Sequence, residues 1–155
     1  MALEIERRFL LKNDNWKEFI TKKIYIEQGY LSKSLDDWII RIRFTGKDFK
    51  IALKKHIESF TNFEFEYSIP RKDGEIIMSN LSNTIKKERF FLEVENKSWT
   101  IDCFKENNYP LEIAEIELFK EEEDLSLPSF ISNEITGQTK YSNFSLAKKP
   151  FSDWK

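Results

Sequence analysis

Charged and apolar residues alternate with a period of two along much of this chain, and that alternation restricts it to a fold built mainly of strands. The segments are Leu3 to Leu11, Tyr25 to Leu31, Trp38 to Phe44, Phe49 to Lys54, Phe63 to Ile69, Lys87 to Glu95, Trp99 to Phe104 and Glu112 to Phe119. Only an extended backbone sends successive side chains to opposite faces. Helical spacing is sparser. Trp16, Phe19 and Ile20 follow a capping Asn13 or Asp14, and Ile77, Leu81 and Ile85 follow Asp73-Gly74. An acidic run, Glu121 to Asp124, precedes Pro128, and Tyr141 to Lys149 reads as a last helix. No repeat or linker divides the chain, so residues 1–155 are expected to form a single domain. The expected class is α+β: a closed eight-stranded antiparallel β-barrel with short helices packed outside.

Residues i and i+2 of a strand share a face. Glu4, Glu6 and Arg8 therefore point one way, as do Arg41 with Arg43, Ala52 with Lys54, Thr100 with Asp102, and Glu115 with Glu117. On any one strand such a face is most simply solvated. Here it carries like charges in pairs, and few helices are available to fill an apolar barrel interior. If the apolar faces pack outward, the charges line the inside. Converging carboxylates then need a cation, for which their hard oxygens suit Mg²⁺ or Mn²⁺. Converging guanidinium and ammonium groups need an anion, and phosphate matches the arginine fork.

Other classes are disfavoured. The formal net charge of −2 lacks the basic footprint of a duplex-binding protein. The single cysteine, Cys103, excludes an internal disulfide and suits a reducing compartment. Charges in the first residues and the lack of a long apolar run point to a cytoplasmic protein with no membrane partner. His56 lacks a second histidine or cysteine at ligand spacing and reads as a loop residue, while Cys103 reads as a packed, outward thiol.

Glu4-Ile5-Glu6-Arg7-Arg8-Phe9-Leu10 resembles the opening ExExK strand of the CYTH superfamily, the triphosphate tunnel metalloenzymes, and in particular its bacterial inorganic triphosphatase type. The likeness continues in the same order along nearly the whole chain. It runs through Gln28-Gly29-Tyr30-Leu31, Arg41-Ile42-Arg43, Leu53-Lys54, Glu64-Phe65-Glu66, Lys87-Glu88-Arg89, Asp102, Glu115-Ile116-Glu117 and Lys140-Tyr141-Ser142-Asn143. The resemblance implies that Glu4, Glu6, Asp102, Glu115 and Glu117 hold Mg²⁺ or Mn²⁺. It implies that Arg8, Arg41, Arg43, Lys54, Lys87, Arg89 and Lys140 bind the phosphates, and that Glu4, Glu6, Glu117 and Lys87 form the catalytic set. Arg8 stands where the family usually has lysine, and Lys140 where it usually has arginine. The activity implied is metal-dependent hydrolysis of inorganic triphosphate to pyrophosphate and phosphate. The rivals are a class IV adenylate cyclase, a thiamine triphosphatase, and a non-catalytic polyphosphate or nucleotide binder. The implied partner is a small-molecule triphosphate, bound by a monomer or homodimer without nucleic acid.

Overall fold

Strand β1 (Leu3–Leu11) is the seam of the sheet. Along one edge its first residues pair with β5 (Thr61–Ile69) and its last with β9 (Ile131–Glu134). Along the other, Glu6 to Leu10 pair with β8 (Glu112–Glu117). The remaining strands are β2 (Ile20–Tyr30), β3 (Ile39–Phe44), β4 (Phe49–Glu58), β6 (Thr84–Val94) and β7 (Lys97–Phe104). They run in the order β5-β4-β3-β2-β6-β7-β8-β1, and the β5–β1 pairing closes them into an eight-stranded antiparallel barrel with β9 as an outer addition. Closure removes the exposed edges that an open sheet would carry. The computed structural model describes residues 2–32, 34 and 36–154.

The eight expected strands are all present, with three differences around them. Strand β2 starts at Ile20, because Ile20, Lys22 and Lys23 pair with Leu92, Phe91 and Phe90 of β6 where local alternation is absent. The helix expected from Ile77, Leu81 and Ile85 is instead α1 (Arg71–Ser79), and Ile85 already belongs to β6. It starts before Asp73-Gly74 and uses the glycine for packing: a Cβ on Gly74 would stand 2.2 Å from the Phe49 ring. Glu121 and Glu122 form a turn and Glu123 and Asp124 irregular chain rather than a helix. The tail does end in a helix, α2 (Asn143–Lys148), whose first turn is capped by the Ser145 N–H donating to Ser142 Oγ at 3.1 Å.

Two apolar clusters explain why the charges face inward. Outside the barrel, Phe9, Leu92, Trp99, Ile101, Ala114 and Ile116 pack under Trp16 of a short 3-10 helix (Asn15–Phe19) and under Leu118, Phe130 and Ile131. Burying each large side chain is worth about 1.5–3 kcal/mol, so the outward direction of the apolar faces is strongly favoured. The second cluster closes one end of the barrel. Ile85, Phe104 and Ile113, from the inner faces of β6, β7 and β8, pack against Leu146 of α2 and Ile135. The tunnel is therefore open at one end and stoppered at the other. No helix among the described residues is long and apolar enough to cross a membrane.

Candidate active site

Register turns the alternating sequence into two facing walls. Glu6 lies opposite Glu117, and Arg8 opposite Glu115, across β1 and β8. Arg41 lies opposite Ala52, and Ala52 opposite Glu66; Lys54 lies opposite Glu64. Arg89 lies opposite Asp102. Because β8, β1 and β5 are neighbours in the ring, Glu4, Glu6, Glu64, Glu66, Glu115 and Glu117 occupy one continuous arc. Arg41, Arg43, Lys54, Lys87 and Arg89 come from β3, β4 and β6 on the other side. A cavity of about 920 Å³ lies between, lined by Glu4, Glu6, Glu115 and Glu117 and by Arg41, Arg43, Lys54 and Arg89.

The acidic arc is under strain. Like charges directly opposite each other destabilise a sheet. Burial, together with the Glu115 and Glu4 carboxylates, pushes Glu6 up to about 8. Burial also raises Glu4, with Glu64 hydrogen-bonded to it, although Lys54 Nζ lies 2.6 Å from Glu4 Oε1. Glu117, more exposed than the others, is raised by burial and by Glu4. Glu115 is the exception: despite burial, Arg8 and Arg89 hold it below the usual carboxylate range. Its partners lie at 2.9 Å (Arg8 Nε) and 3.2 Å (Arg89 Nη2).

The basic side is organised around Asp102. This carboxylate is fully buried; Oδ1 accepts from Arg89 Nε at 2.7 Å, and Oδ2 accepts from Lys87 Nζ at 2.7 Å and Arg89 Nη2 at 2.9 Å. Burial would raise it, but the two cations hold it far below its ordinary value. With both oxygens engaged, Asp102 stands apart from the other acids that the resemblance assigns to metal, as the anchor of the basic wall. Lys87 is equally buried and also donates to Asn143 Oδ1 at 3.0 Å. Burial and the nearby Arg89 and Arg43 bring it down to about 7, against the pull of Asp102.

Beyond that anchor the tunnel holds more donors than its acids satisfy. Arg8 gives Nε to Glu115 and Nη1 to the Tyr141 carbonyl at 2.9 Å, but its buried Nη2 has no partner. Arg41 pairs with Glu66 through Nη2 at 3.0 Å and leaves its buried Nε unmatched. Arg43 donates Nε to Gln28 Oε1 at 3.0 Å, and no carboxylate among the described residues pairs with it. Burial and the charges of Arg41 and Arg89 bring Arg43 down to about 10. Buried guanidinium donors without acceptors are costly, and an anion in the cavity relieves that cost.

Eleven of the residues singled out in the sequence thus meet in or beneath one tunnel: Glu4, Glu6, Arg8, Arg41, Arg43, Lys54, Lys87, Arg89, Asp102, Glu115 and Glu117. Lys140 does not join them; it is exposed, with its Nζ 4.7 Å from the Trp154 ring and 5.2 Å from that of Tyr141. Glu64, Glu66 and Asn143 belong to the tunnel but were not singled out as site residues. The Glu64-Phe65-Glu66 alternation carried the signal for the first two, and the Lys140-Tyr141-Ser142-Asn143 match carried it for Asn143. His56 lies in β4, not a loop, near Asn62 of β5. Cys103 is partly buried beside Glu112, and burial pushes its thiol up to about 12, which leaves no nucleophile there.

The acidic arc fits a hard divalent cation by its chemistry, being all oxygen with mutual repulsion that a cation relieves. Among the described residues no three His, Cys, Asp or Glu side chains are arranged to hold an ion by themselves.

No protein-family profile matches the chain. Individual relatives do. It is 31% identical over 157 residues to an inorganic triphosphatase of Acetivibrio thermocellus, across 100% of this chain and 99% of that one. An inorganic triphosphatase of Nitrosomonas europaea is 24% identical over 148 residues, across 93% of this chain and 96% of that one. A crystal structure of an inorganic triphosphatase matches the fold with a TM-score of 0.69 and 25% identity, covering 95% of each chain. With a stoppered barrel, facing acidic and basic walls and a full-length relative above 30% identity, this chain belongs to the inorganic triphosphatase family of triphosphate tunnel barrels.

Proposed function

We propose that the protein hydrolyses inorganic triphosphate to pyrophosphate and phosphate, with Mg²⁺ or Mn²⁺ as cofactor. The observation that carries this reading is the surplus of buried arginine donors, Arg41 Nε and the carboxylate-free Arg43, on residues that line a cavity large enough for a triphosphate, with the unpartnered Arg8 Nη2 buried in the same barrel. Arg41, Arg43, Lys54 and Arg89 bind the phosphate oxygens and spread the charge that develops in phosphoryl transfer. Lys87 and Asp102 hold Arg89 in position from below. Glu4, Glu6, Glu115 and Glu117 would hold the divalent cation, whose chemistry is to neutralise phosphate charge and acidify water. Glu117, the most exposed of the four, accepts the proton of the attacking water.

Arg43→Ala tests the phosphate side. Losing a fork that matches phosphate is expected to raise the KM for inorganic triphosphate about a hundredfold, and Arg43→Lys to recover part of it. Because Arg43 is a buried cation without a carboxylate, ligand-free stability should stay level or rise on the same substitution. Phosphate-release kinetics and thermal melts of the two variants check both halves. An unchanged KM would remove Arg43 from the phosphate set.

A pH prediction tests the acidic side. Glu6 goes from its ordinary 4.5 to about 8 on folding, so the folded chain keeps a proton that the unfolded chain releases. That contribution is fully present below the ordinary value and is lost as pH rises toward 8. Without ligand, the melting temperature is therefore expected to fall between about pH 5 and pH 7. Added Mg²⁺ or Mn²⁺ should raise it far more at pH 8 than at pH 5.5, since the ion competes with the proton. Equal shifts at both pH values would argue against the acidic arc as the cation site.

A further inference from the structure

Beyond β8, the alternation that turns Glu115 and Glu117 inward brings Phe119 to the rim of the tunnel. Phe119 is 97% exposed and lines the cavity with Phe91, Asn96 and Ser98 of the β6–β7 hairpin region. A single exposed ring means little by itself. What distinguishes this one is how firmly its segment is tied. The Leu118 N–H donates to the Ile5 carbonyl of β1 at 2.7 Å. Thr61 Oγ1 of β5 donates to Glu121 Oε2. Lys97 Nζ of β7 pairs with Glu123 Oε2 at 2.5 Å, and Glu123 Oε1 accepts the Phe119 N–H at 2.8 Å. Residues 118–123 thus form a strap across the rim, fastened to three strands, with an uncovered aromatic ring at the entrance of a charged tunnel.

We propose that Phe119 is a specificity-determining residue: it stacks the base of a nucleoside triphosphate whose phosphates rest on Arg41, Arg43 and Arg89. The inference rests on the triphosphatase reading above. Glu115, which pairs with Arg8 and Arg89, lies four residues deeper, about 13 Å along a strand. A bare triphosphate on those arginines lies below the ring, whereas a sugar and base extend toward it. Because the far end of the tunnel is stoppered by α2, the terminal phosphate enters first and the base remains at the mouth. Asn96 supplies an amide for the base edge, while the Ser98 hydroxyl already donates to Glu93 Oε1 at 2.5 Å. In the reaction, water adds to the terminal phosphorus and the bridging P–O bond breaks. Nucleoside diphosphate and phosphate leave, and the water proton passes to a carboxylate of the acidic arc.

Phosphate release from ATP and from inorganic triphosphate is compared for wild type, Phe119→Ala and Phe119→Trp. Loss of one stacked ring is expected to lower the ratio of kcat/KM for ATP to that for triphosphate about tenfold, mainly through the KM for ATP. Phe119→Trp should restore the ratio. Calorimetric binding of a non-hydrolysable ATP analogue gives a second readout, which should weaken about tenfold in Phe119→Ala and return in Phe119→Trp. An unchanged ratio and analogue affinity in Phe119→Ala would overturn the proposal, as would a wild-type protein that neither turns over ATP nor binds the analogue. Failure of the wild type to hydrolyse inorganic triphosphate would instead strike the triphosphatase reading, and analogue binding would still decide the role of Phe119.

Discussion

Asp102→Ala is expected to lower stability by about 3–5 kcal/mol, the cost of breaking a buried ion pair from one side. The reason lies in what remains. Lys87 would lose its one carboxylate and Arg89 would keep only Glu115 at 3.2 Å, and Lys87 has no access to solvent at all. For a chain of this length that corresponds to a melting temperature about 10 °C lower. Lys87 has a partial escape, since its value of about 7 lets it release its proton near neutral pH. Arg89 has none. Asp102→Asn keeps the shape but not the charge and should fall between the two. Thermal melts of the variants, without ligand, check the order. A melting temperature for Asp102→Ala equal to that of wild type would mean that Asp102 does not anchor the basic wall.

The double change Glu6→Gln, Glu117→Gln is expected to act in the opposite sense on stability and far more severely on activity. These residues face each other across β1 and β8, and both are raised above the ordinary carboxylate range. Neutralising them removes repulsion, so the ligand-free protein should melt at a higher temperature at pH 8. Turnover of triphosphate should fall at least about a hundredfold, because a bound cation typically contributes several kcal/mol to the transition state. Stability given up at a site in return for chemistry is a common pattern in enzymes. Here Asp102 stabilises the tunnel while the acidic arc destabilises it. Kinetics and melts of the same preparation separate the two effects. Retained turnover would remove Glu6 and Glu117 from the catalytic set.

The barrel was legible because its strands alternate so regularly. Segments such as Lys87 to Glu95 and Glu112 to Phe119 announce two faces, and a closed barrel is the fold that buries both. Most of the site was legible for the same reason, since an inward residue repeats at every second position. Elements held by distant partners were not. Strand β9 has only four residues, too few to show a period, and exists through its pairing with Phe9 and Leu11. Residues 121–124 read as an acidic helix start, yet Thr61 and Lys97 tie their carboxylates down as a strap. Lys140 matched a motif position but stacks on Trp154, a contact made only after the tail has folded back. The division into acidic and basic walls depends on which strands are neighbours in the ring, and no local pattern carries that order.

The most direct measurement is phosphate and pyrophosphate release by the wild-type protein from inorganic triphosphate, with Mg²⁺, with Mn²⁺ and with chelator. One pyrophosphate and one phosphate per triphosphate, dependent on the cation and abolished by the chelator, is the expected result. Tight triphosphate binding with no release under any condition would contradict the enzyme and leave a binding protein. Release undiminished by chelator would contradict the role assigned to the acidic arc.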